Sequence, residues 1–160
     1  MKNKAMLFTS IIILSSAALT GSPSLYAQQS YEDTIKFRQS GYMFMRWNMG
    51  EIKKQVIKNP ATYNKEEVLN ASNVISAIAN SGIEKLFTKE TATGKGWHKT
   101  RVKSGFFENP DDVKKYASKF TLEARELVNT AHTGDIIQIK KQFKKLLGAC
   151  KACHKDFRAK

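Results

Sequence analysis

Cysteine is almost absent: the chain has two, at positions 150 and 153. A pair that close closes too small a loop to staple a fold, which excludes a disulfide framework. Histidine is nearly as scarce. Beside the one next to the cysteines, only His98 and His132 remain to complete a zinc site, and neither stands at a usual ligand spacing. Acids are few, 14 against 27 Lys and Arg. No stretch alternates apolar and polar residues as a strand does, which removes the βαβ setting that a thioredoxin-like cysteine pair needs. Nor does any segment repeat another, and 160 residues suit one domain.

What is present begins with a leader. Lys2 and Lys4 precede an apolar run from Ala5 to Leu19, and Gly21, Pro23 and a cleavage site at Leu25-Tyr26-Ala27 follow. That is the profile of a secretory signal over residues 1–27, with an apolar core too short for a membrane span. The mature chain, 28–160, is then expected to be exported. Losing two lysines and no acid leaves it 25 basic and 14 acidic residues, formally +11. Such a surface favours anionic partners, but export and the lack of any recognised binding motif argue against nucleic acid.

The two cysteines belong to Cys150-Lys151-Ala152-Cys153-His154. Cys-x-x-Cys-His is the attachment signature of c-type haem: each thiol forms a thioether to one vinyl group, and the adjoining imidazole reaches the iron. One covalent haem c is therefore expected, held by Cys150 and Cys153 with His154 as its metal ligand.

Four segments carry the 3.6-residue hydrophobic period. The first spans about Ser30 to Lys58 and stops at Asn59-Pro60; Ile35, Arg38, Tyr42, Met45, Met49, Ile52 and Val56 form its seam. The second opens on an Asn64 cap with Glu67 at the third helical position and runs to about Asn80, or to Phe87 with a break at Gly82. Residues 88–109 read as a loop, broken by Gly94, Gly96 and Gly105 and charged by its lysines. The third helix starts at Asn109-Pro110-Asp111-Asp112, with an Asn109 cap expected, and its seam includes Tyr116, Phe120 and Leu127. Thr133-Gly134-Asp135 turns the chain into the last helix, whose stripe of Ile139, Phe143, Leu146, Cys150, Cys153 and Phe157 includes both cysteines.

Four such helices predict an all-α, antiparallel up-down-up-down bundle with haem at one end. The end of the last helix would lie beside the start of the first, the end of the second and the start of the third. That places Arg38, Tyr42, Met45, Ile78 or Phe87, Tyr116 and Phe120 around the haem. Arg38 is the one charge on an apolar seam; a haem propionate would suit its guanidinium fork, unless the side chain reaches solvent near the helix start. Arg158, one turn past His154, either packs over the imidazole or complements the helix C-terminus.

Phe37-Arg38-Gln39-Ser40-Gly41-Tyr42 through Met45, the four-helix pattern and Cys150 to Arg158 together resemble cytochrome c′, a class II c-type cytochrome, over essentially the whole mature chain. The resemblance implies a periplasmic bundle, often a homodimer, with a high-spin haem whose distal face binds NO or CO. By position it makes His154 the proximal ligand, Arg158 the proximal arginine, Arg38 the propionate-side arginine and Tyr42 the residue over the distal face. Where many members have a Trp shortly before helix three, this chain has Phe106-Phe107.

The sixth coordination position decides the role. A thioether there makes a low-spin electron carrier, whereas a side chain that cannot ligate leaves room for a gas. Tyr42 is on the seam; Met43 is rotated from it by about 100°, and Met45 reads as core filler. The expectation is a gas-binding, NO-sequestering protein that is not an enzyme, since no distal His and Arg pair suited to acid-base work is evident. The alternative is a six-coordinate electron carrier with a Met ligand that docks an anionic redox partner through its basic loop at 95–103.

Overall fold

The computed structural model describes residues 30–160, so the expected leader at 1–27 lies outside the described residues. The elements are α1 (Tyr31–Lys53), α2 (Lys65–Ala79), the single turn α3 (Gly105–Glu108), α4 (Pro110–Thr133) and α5 (Ile136–Phe157). α1, α2, α4 and α5 are the four helices of an antiparallel bundle, packed in the order α1 on α2, α2 on α4 and α4 on α5. The ring closes at one end only: α5 reaches the first helix mainly through a π-helical turn, Lys54–Lys58, that continues α1. No helix among the described residues is long and apolar enough to cross a membrane.

The core follows the seams. Ile52, Ile75, Leu127, Ile139, Phe143 and Leu146 are fully buried, each side chain contributing about 1.5–3 kcal/mol by leaving water. Met45 joins this cluster, and Phe120 packs against it half-buried.

Caps set the ends. Ser30 and Asp135 accept backbone N–H bonds at the starts of α1 and α5. Asn64 Oδ1 accepts from the amides of Glu66 and Glu67. The reciprocal half of that capping box comes from a different residue than expected: buried Gln55, in the π turn, accepts the Asn64 N–H and donates to Glu67. Asn109 also departs from expectation, since its side chain donates back to the Gly105 carbonyl and makes no cap for α4; Pro110, which has no N–H to satisfy, and two first-turn acids begin that helix. Gly134 stops α4 with φ of +78°, and Gly82, at +77°, leads into the 3-10 turn Ile83–Leu86 that follows α2; both lie in a region costly for other residues.

The stretch between α2 and α4 is more ordered than a loop reading suggests. It holds 3-10 turns at Ile83–Leu86 and Lys89–Thr91, the α3 turn and a single Lys95–Lys99 bridge. It spans the open end of the bundle, from the start of α1 to the end of α5. At α1, three consecutive side chains hold it: Arg38 donates to Leu86, Thr91 and Thr100, Gln39 pairs with the backbone of His98, and Ser40 accepts from the Trp97 indole. The approach is close enough that a Cβ on Gly96 would stand 2.8 Å from both Gln39 Oε1 and the Lys36 nitrogen. At α5, Lys103 donates its amide to the Phe157 carbonyl, and Ala159 donates to Arg101.

Candidate functional site

Cys150 and Cys153 stand half-buried on the inner stripe of α5, near its C-terminus, where α1 and α5 are apart. Both are free thiols, and burial pushes each above the ordinary thiol range. His154 is exposed one position on. Burial around its ring and the Arg101 charge hold its proton affinity below that of a free imidazole, which favours the neutral form that ligates metals.

Tyr42 faces these thiols from α1. Burial, then the charges of Cys153 and Cys150, push its phenol up to about 12. The side chain is nonetheless 39% exposed. Those facts agree if the ring lines a crevice, hemmed in by neighbours yet open along one side. Its ring meets Phe87 edge-on at 6.2 Å, Phe87 stacks on Phe106 at 4.8 Å, and Phe106 meets Phe157, which meets Tyr116. An aromatic wall therefore runs from Tyr42 round to the end of α5.

Arg38 is 3% exposed, and no carboxylate pairs with it among the described residues. Its charge lies 4.5 Å above the Phe87 ring. One terminal nitrogen donates to Leu86 O and Thr91 Oγ1, the other to Thr91 O and Thr100 Oγ1. All four terminal N–H groups hold the loop, leaving Nε–H for the expected propionate. Burial also rules out the reading in which the side chain reaches solvent.

The other candidates scatter more. Met45 lies in the main core, and Met43, 49% exposed, lines an outer groove on α1. His98 is exposed in the loop and His132 is exposed in the last turn of α4, the far end of the bundle from the cysteines. Arg158 has left the helix; exposed, it bridges to Val102 through its backbone. The charge acting on His154 is that of Arg101, a residue the sequence did not single out, brought there by the pairing of 101–103 with 157–159. Thr91 and Thr100 were missed for the same reason, being made relevant only by contacts across the fold, and Phe106 was noted only as standing where many family members have a Trp.

One feature of α1 also lay unread. Phe37, Phe44 and Trp47 form a second stripe on the helix's outer side, 57%, 53% and 59% exposed, with Phe44 and Trp47 stacked at 5.8 Å.

The family model described as Cytochrome C′ matches residues 33–158. A cytochrome c′ of Rhodocyclus tenuis is 48% identical over 129 residues, which is 81% of this chain and 96% of that protein. One from Allochromatium vinosum is 44% identical over 139 residues, covering 87% and 88%. Among solved structures, a cytochrome c′ described as having an unusual ligand-controlled dimer dissociation superposes with a TM-score of 0.77 at 45% identity, over 82% of this chain and 98% of that one. The cytochrome c′ of Thermochromatium tepidum does so with a TM-score of 0.76 at 42% identity, over the same shares.

Proposed function

The chain belongs to the cytochrome c′ family, and from that premise we propose that it is a periplasmic gas-binding cytochrome with a five-coordinate, high-spin haem c. The donor set fits the group. Cys150 and Cys153 would hold it through thioethers and His154 would ligate the iron, while Arg38 offers Nε–H to a propionate and brings an otherwise unpaired buried cation close to an anion. When bound, the haem would supply an iron able to take up a diatomic gas.

One observation carries the reading: the side chain that faces the two cysteines across the α1–α5 gap is Tyr42. Burial favours the neutral phenol, which stays protonated at neutral pH, so it is a poor iron ligand and a bulky neighbour. Its role is to crowd the distal face and restrict what enters. Met43 points outward and Met45 packs inward, which disfavours the six-coordinate carrier with a methionine ligand. NO sequestration is the physiological use we favour.

Absorption spectra of oxidised and reduced protein, with and without carbon monoxide, test this. A five-coordinate ferrous haem that takes up carbon monoxide is expected, and Tyr42→Ala should raise the association rate at least tenfold. A six-coordinate low-spin spectrum in both redox states would sink the reading, and an unchanged rate would remove Tyr42 from the distal face.

The protein is further proposed to be a homodimer through the outer stripe of α1, because exposed, pre-stacked aromatics of this size mark interfaces. A 45% identical relative described by ligand-controlled dimer dissociation supports extending that linkage to this chain.

A further inference from the structure

On the side of α5 that packs on α4, a surface groove of about 740 Å³ opens between the two helices. Leu122, Ala149 and Ala152 give it an apolar lining, and Lys115, Lys119 and Lys145 stand around it. Leu122 is 40% exposed there. Of the three lysines, Lys119 is paired with the buried carboxylate of Glu123, while Lys115 and Lys145 make no ion pair among the described residues. Glu123 also lines the groove, and α4 balances Asp111, Asp112, Glu123 and Glu126 against four Lys and Arg, so the excess of positive charge comes from α5. α5 carries six lysines and a single acid, Asp156, and that acid accepts a hydrogen bond from the Tyr116 hydroxyl.

Position gives the groove its interest. Ala149 and Ala152 directly precede Cys150 and Cys153, and Ala149 lies only about 40° round the helix from Cys153 at 100° per residue. A partner seated here would be separated from a group attached to those thiols by roughly one helix, about 10–12 Å across. In the basic loop at 95–103, Lys103 already donates to the Lys155 carbonyl.

We propose that the α4–α5 groove docks an acidic protein carrying a one-electron redox centre. This rests on the haem reading and gives that haem a route for resetting its oxidation state. In the reductive direction the partner's reduced centre would give up one electron and the haem that Cys150, Cys153 and His154 would hold would take it, with no bond in this chain made or broken. Carboxylates on the partner meet Lys115 and Lys145 at the rim, an apolar side chain sits against Leu122, and attraction between the two surfaces speeds encounter in a salt-dependent way.

The test uses the holoprotein and an acidic plant-type [2Fe–2S] ferredoxin as probe, with affinity measured by calorimetry at low and moderate salt and contacts mapped by carbodiimide cross-linking. Lys115→Glu with Lys145→Glu should weaken binding at least tenfold. The charge-matched control, Lys95→Glu with Lys99→Glu, should change it less than twofold, and cross-links should fall on Lys115 and Lys145. Leu122→Ser, which leaves the charge untouched, should weaken binding threefold or more and serves if the double variant does not fold. Equal losses from the two lysine pairs, cross-links centred on 95–103, or no binding by the unaltered protein would each overturn the proposal. Covalent haem is read separately from the pyridine haemochrome spectrum, so a failure of docking and a failure of haem attachment are distinguishable.

Discussion

Arg38 illustrates how one side chain can position a whole segment. Its four terminal N–H groups satisfy two buried carbonyls and two hydroxyls that lie 48 to 62 residues away in the chain. Arg38→Met would strand those acceptors, at about 1–3 kcal/mol for each that water cannot reach, so a total loss of about 2–4 kcal/mol is expected in urea unfolding. Amide exchange at 86–100 should accelerate more than that of α4 or α5. Lysine, with a point charge and no planar fork, should recover less than half of the loss. A Met variant as stable as the parent would show that the loop is held elsewhere. Glu123 makes the second case. Hydrogen bonding from Lys119 comes first among the causes that hold its carboxyl below the usual 4.5, and Gln142 adds to it. The carboxylate is 6% exposed, yet it lies near the bundle surface under the Lys119 side chain, itself 57% exposed, so water screens the pair. A depressed folded-state pKa means stability that is fully present above the unfolded value and is lost as pH falls through the folded one. Glu123→Gln should therefore cost about 1 kcal/mol at pH 7, and the gap to the parent should close as pH falls from 5 towards 3. A gap that stays constant over that range would mean that the carboxylate's charge plays no part.

At the scale of elements, legibility tracked distance along the chain. The cysteine motif stood out because the attachment signature of c-type haem lies within five consecutive residues. The seams of α4 and α5 were readable too, since each presents one apolar stripe to the core. α1 was half legible: Ile35, Met45, Ile52 and Val56 are buried as their spacing implies, but Phe37, Phe44 and Trp47 make a second stripe that a single-face reading passes over. Local rules misassigned the Asn109 side chain, which found the Gly105 carbonyl, and could not supply Gln55, which completes a cap nine residues ahead of it. The stretch at 88–109 read as a plain loop because its bonds are to Arg38, Gln39, Ser40 and the tail at 157–159, none of which leaves a periodic signal. The motif from Phe37 to Tyr42 thereby acquires a mechanical content: three polar residues clamp the loop, and Gly41 lets Ile83 approach to where a Cβ would be 2.7 Å from its Cδ1.

For the whole molecule, α1 is the element that two events share. Its inner side carries Tyr42 near the cysteines, and its outer side carries the exposed Phe44 and Trp47, the face on which a homodimer is proposed. A gas that takes the space of the Tyr42 ring must push that ring against Phe87 or move the helix that carries it, and moving α1 disturbs the face on which the dimer is proposed to form. Coupling of this kind is reciprocal: if gas binding weakens the dimer, the monomer binds gas more tightly by the same factor. Trp47→Asp, which places a charge in the middle of the outer stripe without touching the cysteine side, should give a monomer by sedimentation velocity. Its carbon monoxide affinity should then exceed that of the parent dimer by about 5-fold or more, the low end of ordinary coupling energies. The parent should also sediment more slowly once saturated with carbon monoxide. Equal affinities in monomer and dimer, with no change in the parent's sedimentation on saturation, would separate the two faces of α1 and leave Tyr42 acting on the gas alone.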